Sequence, residues 1–199
     1  MKIKVFLFSS LMLLQLTNSY AQNEKQEKEF LNWFFREHQK LNGKVFYLAA
    51  IATDKLSYLR SAVHADTLYA EFPPEEGIQN YRKDTLVFSV TDRALLQREM
   101  KSLKSQNLPD QCFEGGKMLS TDSLKLYAKD NLDFWGNLAK NKMNSFWMFS
   151  RPIFLRDQTI CVFNYSNYCG FKCAYGKTAV YEKRHGRWRR LMVLSSWIS

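Results

Sequence analysis

Four cysteines are the residues whose chemistry is most sharply constrained by spacing, and two of them stand close together in the segment YCGFKCAYG at 168–176. The four are Cys112, Cys161, Cys169 and Cys173. Zinc ribbons use paired Cys-x-x-Cys motifs, and this chain has none. A redox-active pair needs Cys-x-x-Cys at a helix N-terminus, whereas Cys169-x-x-x-Cys173 has a longer spacer between predicted strands. The favoured interpretation is two structural disulfides, and we predict neither a metal site nor a cofactor.

Strand geometry predicts how these cysteines pair. Cys161 and Cys169 lie eight residues apart on one predicted strand, a separation of about 26 Å at about 3.3 Å per residue. A disulfide requires Cα atoms within about 7 Å of each other. Cys173 begins the next strand beside Cys169 and is almost as far from Cys161. We therefore expect a short Cys169–Cys173 bridge across the turn and a long Cys112–Cys161 bridge from the helical half to the sheet.

The histidines and the known catalytic motifs give no enzymatic assignment. His38 falls on the apolar face of a predicted helix, where a hydrogen-bonded core residue is expected. His64 is expected in a loop and His185 at the tip of a hairpin. The motifs G-x-S-x-G and H-E-x-x-H and the P-loop are absent. No catalytic residue is predicted, and an exported enzyme without a recognisable motif is the alternative function.

Positive charge is concentrated in the last third of the chain. Residues 140–199 hold eleven Lys and Arg against two acidic residues, a formal charge of +9, whereas residues 22–139 sum to −1. Ion pairing and aromatic stacking could together bind an anion at one predicted hairpin. The residues concerned are Lys183, Arg184, Arg187, Trp188, Arg189 and Arg190. The competing interpretation is a solvated rim whose arginines protect a sheet edge from aggregation.

The N-terminus predicts export. Lys2 and Lys4 precede an apolar run, and Ser-Tyr-Ala at 19–21 then offers a cleavage site before Gln22. The run is shorter than the roughly 20 residues of a membrane span. We expect residues 1–21 to be a signal peptide and 22–199 to be one secreted or periplasmic domain without a transmembrane segment, in an oligomeric state that the sequence leaves open.

The predicted compartment and charge together indicate a function. Export disfavours nucleic acid as a partner, so anionic envelope lipid or polysaccharide is the predicted partner of the hairpin. The sequence therefore predicts a non-catalytic binding or accessory protein whose basic C-terminal hairpin faces an anionic surface.

Hydrophobic periodicity predicts the elements of the N-terminal half. A helix is expected over 24–41, ended by Asn42-Gly43. The apolar run 45–51 fits either a strand or a buried helix, and 53–63 favours a helix. Strands are expected at 66–74 and 84–90, and further helices over 91–105 and 123–139.

From residue 145 the pattern predicts strands only, at 145–154, 159–168, 175–184 and 187–197. His185-Gly186 would be the two-residue turn of the last hairpin. Pairing across it would place Lys183 beside Trp188, Glu182 beside Arg189 and Val180 beside Leu191. The predicted fold is α+β, with N-terminal helices and short strands packed on a C-terminal four-stranded antiparallel meander.

Short C-terminal motifs give one resemblance. SRPIF at 150–154, CG at 169–170, GRW at 186–188 and WIS at 197–199 resemble the ending of a group of small exported bacterial proteins of unknown function. The resemblance implies a similar antiparallel C-terminal sheet and carries no catalytic residues with it.

Overall fold

A computed structural model describes residues 24–41, 43–49, 67–70, 85–103, 107–127 and 133–199. The expected signal peptide, the helix expected over 53–63 and His64 lie outside them. No helix in the described ranges is long and apolar enough to cross a membrane.

Four helices occur in the described part of the chain. They are α1 at 24–33, continued by a π-helical turn at Phe34–His38, then α2 at Val90–Ser102, α3 at Thr121–Tyr127 and α4 at Phe134–Lys140. Nine strands occur in the same described ranges. They are β1 (Val45–Leu48), β2 (Thr67–Tyr69), β3 (Thr85–Val87), β4 (Gly116–Leu119), β5 (Phe146–Phe149), β6 (Ile153–Leu155), β7 (Ile160–Gly170), β8 (Cys173–Arg184) and β9 (Arg187–Ile198).

Seven of these strands form one mixed sheet in the order β4-β1-β5-β7-β8-β9, with β6 also paired to β7. β1 is parallel to both β4 and β5, and the other pairs in this sheet are antiparallel. β2 and β3 form a separate antiparallel pair. The α+β class is confirmed, but the expected four-stranded meander is only part of a larger mixed sheet.

Helices cover both faces of the large sheet. α1 packs its aromatic side chains on one face, where Phe30 and Phe34 lie 5.2 and 4.9 Å from the ring of Phe163. On the opposite face, α2 and the β2–β3 pair bury apolar residues of β6–β9. α3 and α4 do the same at the end formed by β1, β4 and β5. Because both faces of the sheet are covered, nearly all residues of the central strand β7 are buried.

Capping side chains correct two predicted helix boundaries. Ser89 and Asp92 form a reciprocal capping box, so α2 begins directly after Ser89. The single helix expected over 123–139 is wrong, because Asp133 accepts a hydrogen bond from the amide of Gly136 and so caps the start of a separate helix, α4. α1 and its π-helical turn end at His38 rather than at Leu41.

The strand expected over 145–154 is interrupted between β5 and β6. Phe149 pairs with Tyr165, whereas Ile153 pairs with Val162, so the bulged strand holds one extra residue. Pro152 lies in this interruption and has no amide proton to give to a strand partner.

The β8–β9 hairpin follows the predicted register near its turn. Lys183 pairs with Trp188 and Glu182 with Arg189, as expected. Val180 pairs with Met192 and not with the expected Leu191, because the register shifts between Val180 and Tyr181. β9 therefore carries a bulge within its apolar stretch.

Candidate functional site

The tip of the β8–β9 hairpin is a two-residue turn. His185 and Gly186 have φ values of 50° and 75°, and two consecutive positive φ values characterise a type I′ turn, whose twist matches that of the flanking strands. Side chains alternate between the two faces beyond this turn. Lys183 and Trp188 therefore share the α1 side, whereas the Glu182–Arg189 and Arg184–Arg187 pairs share the other side.

Trp188 is part of the core and does not offer its ring to a ligand. Only 6% of the residue is exposed. Its ring lies 5.1 Å from that of Phe30 in an edge-to-face arrangement and 6.0 Å from that of Phe154. The Lys183 ammonium sits 5.6 Å from the Trp188 ring centroid and 2.5 Å from a carboxylate oxygen of Glu29 in α1. The stacking role considered for Trp188 is therefore excluded by its burial.

Glu182 shares its carboxylate between two arginines. Its Oε2 atom accepts from Nη2 of Arg189 at 2.6 Å and lies 3.0 Å from Nε of Arg184. Partial burial acts to raise the pKa of Glu182, but the hydrogen bonds from Arg189 and Arg184 outweigh it and lower the pKa below its ordinary value. The carboxylate thus holds both guanidinium groups on the side of the hairpin away from α1.

Arg184 and Arg187 face each other directly across the strands. Both residues are exposed, and the Arg184 side chain keeps 51% of its accessible surface. Like charges at directly opposed positions destabilise a hairpin unless something compensates for them. Glu182 compensates for Arg184, while no ion pair is recorded between Arg187 and a described carboxylate.

The structure divides the six predicted anion-binding residues between two sides of the hairpin. Arg184, Arg187 and Arg189 lie together around Glu182 on one side. The α1 side holds Lys183, Trp188 and the half-buried Arg190, which pairs with Tyr181. Two carboxylates neutralise part of the patch. The predicted register already placed Glu182 beside Arg189, whereas sequence reasoning missed Glu29, which reaches Lys183 only because α1 packs on the sheet.

His38 lies on the α1 side of the sheet and not among the exposed arginines. Its ring stacks on Trp33 at 5.3 Å and meets Tyr181 edge-to-face at 5.7 Å. Burial is the main cause that lowers the pKa of His38 to about 4, and the positive charges of Arg190 and Lys177 add to the effect. The imidazole is therefore neutral near pH 7 and belongs to the aromatic core.

The cysteines follow one of the two expected pairings. Cys169 and Cys173 are joined by a disulfide with their Cα atoms 5.0 Å apart, across the turn between β7 and β8. Cys112 and Cys161 are buried free thiols in the core cluster that packs on α1, so the expected long bridge is corrected. The expectation assumed that every cysteine of an exported chain is oxidised, whereas a buried thiol also packs stably as a small apolar side chain.

The described ranges contain no candidate metal site, because no three His, Cys, Asp or Glu side chains there are placed to hold an ion.

Comparison of the whole chain with protein-family models, with curated proteins and with solved structures found no match. The function of the chain must therefore be inferred from its own geometry.

Proposed function

We propose that this chain is a non-catalytic binding or accessory protein that works outside the cytoplasm, secreted or periplasmic, and binds an anionic envelope polymer through the β8–β9 hairpin. The observation that carries the proposal is the direct opposition of Arg184 and Arg187 beside the shared carboxylate of Glu182. Guanidinium groups bind carboxylates and phosphates through paired hydrogen bonds. An anion placed between the two arginines would relieve their repulsion.

The shape of the hairpin favours a polysaccharide over a lipid bilayer. Membrane-surface binding usually combines cations with apolar side chains that enter the lipid. At this tip the only aromatic side chain of the six candidates, Trp188, is buried. None of the exposed residues at the tip, Arg184, His185, Gly186 and Arg187, carries an apolar side chain. The repeated charges of an acidic polysaccharide can engage the arginines without any insertion.

Binding to polygalacturonate, an acidic polysaccharide, tests the proposal. We expect the Arg184→Gln/Arg187→Gln variant to bind about tenfold more weakly than the parent at low salt, because two exposed ion pairs contribute up to about 1 kcal/mol each. Lys125→Gln/Lys140→Gln removes the same charge from α3 and α4 and should bind as the parent does. Equal binding by the hairpin variant and the parent would support the competing interpretation, in which the arginines are a solvated rim of the sheet and bind no ligand.

Vesicles of phosphatidylcholine with phosphatidylglycerol form the second arm of this experiment. Retention by these vesicles and not by polygalacturonate would assign the hairpin to anionic lipid instead. Binding to neither probe would contradict the proposal.

Export is a separate part of the proposal. The small-residue site ending at Ala21 supports processing before Gln22. Intact-mass analysis of protein from the native host should then show a chain that begins at Gln22. A mass that retains residues 1–21 would contradict export by this route.

A further inference from the structure

A second basic surface lies at the opposite edge of the sheet from β9. A groove of about 640 Å³ runs along β4, between the start of β1, α3 and the turn that follows α4. Three exposed lysines line it, and they are Lys44, Lys117 and Lys142. None of the described residues that line this groove is acidic.

The floor of the groove is apolar. Leu119 and Met143 are buried in the core cluster beneath α3 and α4, and Phe46 packs partly against the same cluster. Lys117 pairs with Phe46 across β1 and β4, and its ammonium lies 5.8 Å from the centroid of the Phe46 ring. A cation is thereby held directly beside the apolar floor.

The third lysine is positioned by the end of α4. Lys142 has a φ of 59°, and its amide donates to the carbonyl of Ala139 at 2.8 Å. The next amide, of Met143, donates to the carbonyl of Leu138 at 3.0 Å. This turn buries Met143 while it leaves Lys142 exposed at the rim.

A neighbouring groove provides an internal comparison. It measures about 770 Å³ and shares Lys44 and Lys117, but its lining also includes Asp110 and Glu114. Two carboxylates thus accompany the shared lysines in that groove. In the 640 Å³ groove Lys142 joins the shared lysines, and no described residue of the lining is acidic.

We propose that the groove along β4 binds a small amphipathic anion, with its carboxylate or phosphate head among Lys44, Lys117 and Lys142 and a short hydrocarbon body on the floor of Phe46, Leu119 and Met143. The volume suits a small molecule, since ligand sites commonly span about 300–1,000 Å³ and combine an apolar lining with a few polar anchors. The site is independent of the hairpin at β9.

Octanoate, octyl phosphate and the uncharged octyl glucoside, all below their micelle concentrations, separate the contributions of head and tail in isothermal titration. We expect both anions to bind, and octyl glucoside to bind at least tenfold more weakly than either. Higher salt should weaken the binding of the anions and leave the binding of octyl glucoside unchanged. The relative affinity of the two anions identifies the preferred head group. Acetate should bind at least tenfold more weakly than octanoate, because it lacks the hydrocarbon body.

Lys117→Gln/Lys142→Gln should weaken octanoate binding at least tenfold while the variant unfolds at the parent's temperature, since both side chains are exposed. Lys28→Gln/Lys101→Gln is the matched control, because it removes the same charge from two exposed lysines that do not line this groove. Equal binding by Lys117→Gln/Lys142→Gln and the parent, equal binding of octyl glucoside and octanoate, or no binding of either anion would overturn the proposal.

Discussion

The surroundings of His38 disfavour its protonated, charged form. It stacks on Trp33, meets Tyr181 edge-to-face and lies near the cations Arg190 and Lys177. Burial is the main cause that lowers its pKa to about 4. The unfolded chain binds a proton at His38 below about pH 6.5, whereas the folded chain does so only below about pH 4. In this window the unfolded state holds more protons, so the free energy of unfolding falls as the pH falls.

We therefore expect the low pKa of His38 to reduce the free energy of unfolding by up to about 3 kcal/mol as the pH falls from 7 to 4. Urea unfolding of the parent and of His38→Phe at several pH values measures the effect, because phenylalanine keeps the ring and removes the titration. Asp92 and Glu182 have lowered pKa values despite the opposing effect of burial, so their contributions are lost as the pH falls below their ordinary values of 3.8 and 4.5, in both proteins alike. Parallel stability curves for the two proteins between pH 7 and pH 4 would rule out this role for His38.

The cysteines allow a second prediction at the level of single residues. The Cys169–Cys173 bridge closes a very short loop, for which the chain-entropy model gives about 2 kcal/mol. Replacing both cysteines by Ser should lower the free energy of unfolding by about that amount. Burial raises the pKa of Cys112 to about 11 and also raises that of Cys161, so neither thiol should react with iodoacetamide until the chain unfolds.

Non-reducing peptide mapping checks the pairing itself. A linked peptide that contains Cys169 and Cys173, together with two thiols alkylated only in denaturant, is the expected result. A linked peptide that contains Cys112 and Cys161 would show that the long bridge forms and would contradict the free thiols. Spacing could identify the Cys169–Cys173 bridge because strand geometry forbids pairing of Cys161 with either of these cysteines. No spacing rule reveals that the other two thiols pack as free side chains.

At the level of elements, a largely buried ion pair joins α1 to the segment between β5 and β6. Glu27 of α1 accepts from Arg151 between β5 and β6, with Nε–Oε1 at 2.9 Å and Nη2–Oε2 at 2.5 Å, and the Glu27 side chain is 8% exposed. Glu27→Leu would leave the Arg151 guanidinium mostly buried without this partner. We expect a loss of about 3–5 kcal/mol in the free energy of unfolding.

The double variant Glu27→Leu/Arg151→Met is the control, because it removes both charges and keeps similar volumes. It should recover most of the lost stability, since a buried pair replaced by apolar side chains is often neutral. Chemical denaturation of the parent and the three variants completes the cycle. Additive losses for the two single changes would mean that the pair does not act as a unit.

Sequence patterns predicted the long elements better than the short ones. The apolar face of α1 and the His185-Gly186 turn follow from local periodicity and turn chemistry, and both were found. β4 was missed because four residues give too little alternation to recognise. The parallel pairing of β1 was also missed, since its partner strands lie far along the chain and no turn residue reports such a contact.

On the scale of the whole molecule, the two proposed sites lie at opposite edges of one sheet. The charge count along the chain predicted the basic hairpin at β9 because its residues are consecutive. The same count concealed the groove at β4, where Lys44, Lys117 and Lys142 come from three distant segments. Burial of Trp188 could not be predicted either, because it depends on where α1 docks.

The most direct test of the proposed function asks which end of the molecule meets the polyanion. His185→Cys at the hairpin tip and Asn144→Cys before β5 each place a thiol at an exposed position, whereas the native free thiols are buried. A fluorophore on each thiol would report access to the neutral quencher acrylamide during titration with polygalacturonate. We predict protection at position 185 and unchanged quenching at position 144. Protection at 144 alone, or at neither position under saturating polysaccharide, would contradict binding through the hairpin.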